Sequence, residues 1–200
     1  MIAYVALGSN LGNRSKNISF GISELCKLGR LTCSPLVIES EDESGIGPPY
    51  LNTVIKLDAC IADPRVLLEE CLRTELACGR DRTLPPNSPR VLDLDLIAAE
   101  GWLGNWEWDA PGDLFQIGPK LTLILPHPRA EFREFVMKPL KALYVKLQTD
   151  FACHYSGSTI DCLLCPQFVA ALSVSLPACG GSLHSRRSLG TTCHSQRKLL

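Results

Sequence analysis

Long apolar runs are missing from this 200-residue sequence. None approaches the roughly 18 residues of a membrane-spanning helix, so a membrane partner is not expected. No charge sign is in excess: 20 Lys and Arg against 21 Asp and Glu leave a net charge of -1. That balance argues against a general nucleic-acid binder, which needs a basic surface to meet phosphates. The first residues, Met1-Ile2-Ala3-Tyr4, lack the basic region and small-residue cleavage site of a secretory signal, so a cytoplasmic protein is expected. No internal repeat is present. The glycines near the start are not followed by the Gly-Lys-[Ser/Thr] ending of a Walker A loop. Aromatics are scarce at 6%, and all three tryptophans fall between Gly101 and Gly118.

Cysteine, by contrast, is plentiful. Cys26, Cys33, Cys60, Cys71 and Cys78 occupy mostly apolar positions and read as small buried hydrophobes. Cys153, Cys162, Cys165, Cys179 and Cys193 lie in the last fifty residues. There Cys162-Leu-Leu-Cys165 has the spacing of a zinc half-site, with His154, His184 and His194 around it. The other ligand spacings fit no standard zinc pattern, so a zinc-binding interaction domain would rest on these residues alone. A hydrophobic content of 46% allows a sizeable core, and the length suits one domain, or one domain with an extension.

The most informative stretch is Pro89-Arg90-Val91-Leu92-Asp93-Leu94-Asp95-Leu96-Ile97. Residues 91 to 97 read as a strand. Alternation puts Leu92, Leu94 and Leu96 on a core face and Asp93 and Asp95 together on the other. Two carboxylates side by side repel, and one would hold its proton unless something neutralises them. A hard divalent cation such as Mg2+ would do so, keeping waters and taking substrate phosphates as further ligands. A solvated acidic face on an edge strand fits the repeat as well.

Along the chain, residues 2 to 7 read as a buried strand. Gly8-Ser9-Asn10-Leu11-Gly12-Asn13 is a turn into a helix with Asn13 as N-cap, striped by Ile18, Ile22, Leu25 and Leu28 and ended by Gly29. Residues 31 to 40 and 50 to 57 read as strands, separated by a polar Gly/Pro loop at 41 to 49. Asp63-Pro64 starts a helix that runs to about Cys78 and is closed by Gly79. The connection from Arg80 to Pro89 carries arginines suited to clamping phosphate. The stretch from Gly101 to Gly118 reads as a long loop, 121 to 125 as a short strand, and 131 to 136 as a short helix before Pro139. Residues 182 to 200 read as poorly ordered.

These motifs together resemble the pterin pyrophosphokinases, 6-hydroxymethyl-7,8-dihydropterin pyrophosphokinases of folate synthesis. The matching blocks are Tyr4-Val5-Ala6-Leu7-Gly8-Ser9-Asn10-Leu11-Gly12, Pro49-Tyr50-Leu51-Asn52-Thr53-Val54, and Glu75 with Gly79-Arg80-Asp81-Arg82. They continue with Pro89 to Asp95, Leu125-Pro126-His127-Pro128-Arg129, Arg133-Glu134-Phe135-Val136 and Pro139-Leu140. The likeness covers residues 2 to about 140, with a faint continuation to Leu164. It implies an α+β fold with a ferredoxin-like βαββαβ core and an antiparallel sheet flanked by helices. The expected domain spans 1 to 164 with an insertion at about 101 to 118, followed by an extension at 165 to 200.

The implied reaction moves a pyrophosphoryl group from ATP to the hydroxymethyl group of the dihydropterin and releases AMP. The resemblance assigns Arg80, Arg90, Asp93 and Asp95 to catalysis, with Asp93 and Asp95 holding two Mg2+ ions. It assigns Gly45, Ile46, Tyr50, Asn52 and Phe135 to the pterin, Tyr50 and Phe135 sandwiching the ring. It assigns Leu68, Glu75, Arg82, Leu96, His127 and Arg133 to ATP. The family usually has glutamine where this chain has Leu72. No obligatory protein partner is implied. A non-catalytic pterin- or nucleotide-binding module of the same fold is the competing expectation.

Overall fold

Ile2, Tyr4 and Ala6 alternate with Ala3, Val5 and Leu7, giving the first strand two apolar faces, and such a strand belongs at the centre of a sheet. The structure is a computed structural model describing residues 1–154 other than Ser44, Ile46, Pro86 and Asn87, with backbone alone at 150–154. It sets β1 (Ile2–Ser9) between β4 (Tyr50–Ala59) and β5 (Asp93–Ala99), with β2 (Gly29–Cys33) outside β4. Every pairing is antiparallel, and a short β3 (Ile38–Ser40) continues the edge along β4. The helix α1 (Arg14–Cys26) joins β1 to β2, and α2 (Pro64–Ala77) joins β4 to β5. This is the ferredoxin-like βαββαβ order expected from the sequence. Both helix starts are as read: the Asn13 side chain accepts from Lys16 N–H at 3.0 Å, and that of Asp63 from Arg65 N–H at 2.8 Å.

One sheet face is covered by α1 and α2. Val5, Leu7, Leu25, Ile55, Leu57, Leu67 and Leu92 pack there at 0 or 1% exposure. At about 1.5–3 kcal/mol for each large side chain fully buried, this layer is the main stabilising term. The other face is covered only in part. There α3 (Glu134–His154) lays Val136, Leu140 and Leu143 on Tyr4, Val54, Ile97 and Ala98. The rest of that face, where Gly8, Asn52, Asp93 and Asp95 project, stays open.

Several sequence expectations need correction. The strand expected at 31 to 40 is two strands, because Pro35 cannot donate to the ladder; Ser34 instead anchors the break, its hydroxyl donating to Pro139 O at 2.8 Å. Gly29 does not cap α1 but begins β2. The acidic strand starts at Asp93, not Val91, and runs on to Ala99. The 101 to 118 stretch is not a loop. It contains β6 (Gly104–Asp109) and a 3-10 turn (Gly112–Ile117), and β6 pairs antiparallel with β7 (Lys120–Leu125). The short helix expected at 131 to 136 is a 3-10 turn (Ala130–Phe132) followed by α3, which passes straight through Pro139. An interior proline costs about 3 kcal/mol. Burying Leu140 and Leu143 at 3% and 0% exposure offsets that cost. The extension expected at 165 to 200, with the poorly ordered end expected at 182 to 200, and the CxxC pair lie outside the described residues.

Candidate active site

Period-two alternation on β5 sends Leu94 and Leu96 to the α1/α2 side, at 3% exposure each, and turns Asp93 and Asp95 to the open face. They form the floor of a cavity of about 320 Å3. Tyr50, Asn52, Arg90, Arg133 and Phe135 line the same cavity. The sequence stretches carrying these residues are far apart, and the fold brings them together because β4 and β5 both flank β1. Gly8 of β1 lies between them. A Cβ there would stand 3.2 Å from Asn52 Oδ1 and 3.5 Å from Tyr50, so its lack of a side chain keeps the floor open. Asn52 is buried, and its amide nitrogen donates to Ser40 Oγ at 3.0 Å, which holds the group in one orientation. Phe135 lies under the Arg133 guanidinium, 5.5 Å from carbon to ring centre.

A ring of arginines meets the carboxylates. Arg80 Nη1 is 2.5 Å and Arg90 Nη1 3.0 Å from the same oxygen of Asp93. Arg133 bridges Asp95 at 3.4 Å and Glu43 at 3.0 Å. Behind them Glu75, 2% exposed, accepts from Leu94 N–H at 2.7 Å and forms ion pairs with Arg80 at 2.9 Å and with Arg82. Glu75 therefore fixes β5 and two arginines at once. The two aspartates respond in opposite directions. Burial pushes both up, but at Asp93 the charges and hydrogen bonds of Arg80 and Arg90 outweigh it and hold the carboxyl below its usual range. At Asp95, burial and then the Asp93 charge raise the carboxyl to about 6. Burial, Arg133 and Arg129 lower His127, which keeps its imidazole neutral near neutral pH.

Several expected contacts do not reach the cavity. Leu96 points to the opposite side of the sheet, and Leu68 packs with Leu72 and Leu114, so neither side chain lines this cavity. Glu75 lies off the cavity lining and is paired with Leu94, Arg80 and Arg82, so here it supports the arginines. Arg80 and Arg82 stand behind Asp93 rather than on the cavity wall. Gly45 has φ 68 and lies off the cavity lining, and Ile46 is outside the described residues. His127 stands beside the site, where its N–H donates to Ile97 O at 2.8 Å. That carbonyl is free because the β1–β5 register skips Ile97. Sequence reasoning missed Glu43 and Arg129, which also line the cavity. The run Glu41-Asp42-Glu43 facing an arginine-rich segment was the available signal for the first.

Fold and site together define a ferredoxin-like α+β protein whose aromatic pocket adjoins an arginine–carboxylate cluster. The model of the 7,8-dihydro-6-hydroxymethylpterin-pyrophosphokinase (HPPK) family matches residues 4–145, and the chain belongs to that family. A 2-amino-4-hydroxy-6-hydroxymethyldihydropteridine pyrophosphokinase of Synechocystis is 30% identical over 164 residues, covering 79% of this chain and 72% of that protein. One of Methylorubrum extorquens is 31% identical over 146 residues, covering 69% and 79%. The folic acid synthesis protein fol1 of Schizosaccharomyces pombe is 32% identical over 145 residues; the match covers 71% of this chain and only 18% of the much longer fol1 protein. Among solved structures, an HPPK-DHPS in complex with substrates superposes with a TM-score of 0.51 over 78% of this chain and 45% of that one. Its 11% identity makes that a likeness of fold alone.

Proposed function

We propose that this protein transfers the pyrophosphoryl group of ATP to 6-hydroxymethyl-7,8-dihydropterin in folate synthesis. The hydroxymethyl oxygen attacks the β-phosphorus, the bond between the α-phosphate's bridging oxygen and that phosphorus breaks, and AMP leaves as the hydroxyl proton is lost. The single observation that carries this reading is the continuity of one cavity from Tyr50, Asn52 and Phe135 to Asp93 and Asp95. Aromatic side chains suit a flat heterocycle, and a buried amide suits its hydrogen-bonding edge. Arg90 and Arg133 on the cavity wall would receive the triphosphate, with Arg80, Arg82 and His127 beside the cavity in support. Phosphoryl transfer asks the protein mainly for positioning and charge neutralisation, which these groups supply.

Mg2+ is part of the proposal. Among the described residues no three His, Cys, Asp or Glu side chains sit together as a ready metal cage. Two carboxylates on one strand face suit Mg2+ nonetheless, since it keeps waters and completes its shell with substrate phosphates. When bound, it would neutralise phosphate charge beside Asp93 and Asp95. A cytoplasmic location belongs to the same reading; no helix among the described residues is long and apolar enough to cross a membrane. The test is AMP formation from ATP, Mg2+ and 6-hydroxymethyl-7,8-dihydropterin. Folded protein that binds the pterin yet makes no pterin-dependent AMP would leave only the non-catalytic binding module.

A further inference from the structure

Asn10 opens the turn out of β1 at 2% exposure, and its polar atoms are tied to two different connections. Its Oδ1 accepts the Arg90 N–H at 2.7 Å, and its own N–H donates to the Arg90 carbonyl at 3.2 Å. Its Nδ2 donates to the Pro48 carbonyl at 3.2 Å, two residues before Tyr50. One side chain thus grips the end of the 80–90 connection, which presents an arginine to Asp93, and the end of the 41–49 connection, which leads into the aromatic wall. The joint is tight. A Cβ on Gly47 would stand 2.8 Å from Asn10 Nδ2 and 2.8 Å from Pro89 Cγ. Asp42 closes the third side, its carboxylate accepting the Gly47 N–H at 2.8 Å. Only an amide both accepts and donates here: a carboxylate could take the Arg90 N–H but could not donate to Pro48.

We propose that Asn10 is a positioning residue that sets the distance between the wall holding the pterin and the arginines facing the phosphates. The inference rests on the pyrophosphoryl-transfer reading above. Asn10 touches neither substrate. It acts through Arg90 and through Pro48 and Tyr50, and the quantity it controls is the gap between nucleophile and phosphorus. Reacting atoms must approach to about 3–3.5 Å, and a misplacement of about 1 Å can cost roughly a hundredfold in rate.

The test compares Asn10→Asp, which cuts the link to Pro48, with Gly47→Ala, which wedges the joint open from the other side. Melting temperature, dihydropterin binding with its stoichiometry, and steady-state kinetics are measured for each. Both variants are expected to bind one dihydropterin per chain with a Kd within about threefold of wild type, while kcat falls on the order of tenfold to a hundredfold and KM for each substrate barely moves. A kcat within twofold of wild type in both variants would overturn the proposal. So would lost pterin stoichiometry, or failure of both variants to fold, since each marks the joint as structural. Wild-type protein without pterin-dependent AMP removes the functional reading and this inference with it. Active wild type with unaffected variants removes the inference alone.

Discussion

Asp93 and Asp95 sit two residues apart, yet their surroundings separate them. Asp95 is raised to about 6, so its stabilising contribution is fully present below its unfolded value and lost as pH rises through about 6. Metal-free protein should therefore become less stable between about pH 4 and 6. Asp95→Asn should flatten that slope and raise the melting temperature at pH 7.5; a slope unchanged in the variant would refute the assignment. Asp93 is lowered, so its contribution holds above its unfolded value and is lost as pH falls through its folded one. Asp93→Asn should destabilise the protein at pH 7, because Arg80 and Arg90 lose their shared partner. Both variants should lose pyrophosphoryl transfer by several orders of magnitude if the carboxylates hold metal. At the pterin wall, Tyr50→Ala should weaken dihydropterin binding by roughly tenfold or more, from lost stacking and lost area, with ATP affinity nearly unchanged. Phe135→Ala is the less clean variant, because Arg133 rests on that ring. The Asp–Leu alternation was readable in the sequence because period two assigns faces without any tertiary information. The opposite shifts were not, because they depend on which arginines fold back onto which oxygen.

At the scale of elements, the ribbon of β6 and β7 explains a departure from the family pattern. Leu72 stands where glutamine is usual, and it is 9% exposed, packed with Leu114 and Leu121. Trp108 donates from Nε1 to Glu69 at 2.8 Å, and Arg73 pairs with Asp113 at 2.6 Å, so the 101 to 118 segment is fastened along α2. A residue covered by this layer is better apolar than polar. Leu114 itself is fully buried. Leu114→Ala should cost about 2–5 kcal/mol in urea unfolding, as for other buried leucines. A loss under about 0.5 kcal/mol would match the loop expected from sequence and would discard the packed layer. The ribbon was partly legible. Trp106 and Trp108 alternate with Asn105, Glu107 and Asp109, but the polar half hid the strand, and its partner lies beyond a 3-10 turn. Pro139 misled in the other direction, because helix-breaking propensity was weighed without the leucines that α3 buries on the sheet.

For the molecule as a whole, the fold class was legible through the family resemblance: the motif blocks at 4 to 12, 49 to 54, 75 to 82 and 89 to 95 imply the βαββαβ order, and the structure has it. What the sequence could not supply was how much of the second sheet face α3 would cover, and hence where the cavity would open. That partial coverage leaves an arginine on each acidic side chain of the floor: Arg80 and Arg90 on Asp93, Arg133 on Asp95. The two floor carboxylates thus have counterions built into the chain, the arrangement of an ion exchanger in its salt form. If Mg2+ binds these carboxylates as proposed, a bare ion would have to displace a tethered guanidinium and would give it nothing in return. A nucleotide arriving with the metal would offer the displaced arginines its phosphates, satisfying both halves of the exchange. Mg2+ alone should then shift the melting temperature little, whereas Mg2+ with a non-hydrolysable ATP analogue should raise it by several degrees. A large shift with Mg2+ alone would mean that the arginines are not the resident cations of the floor.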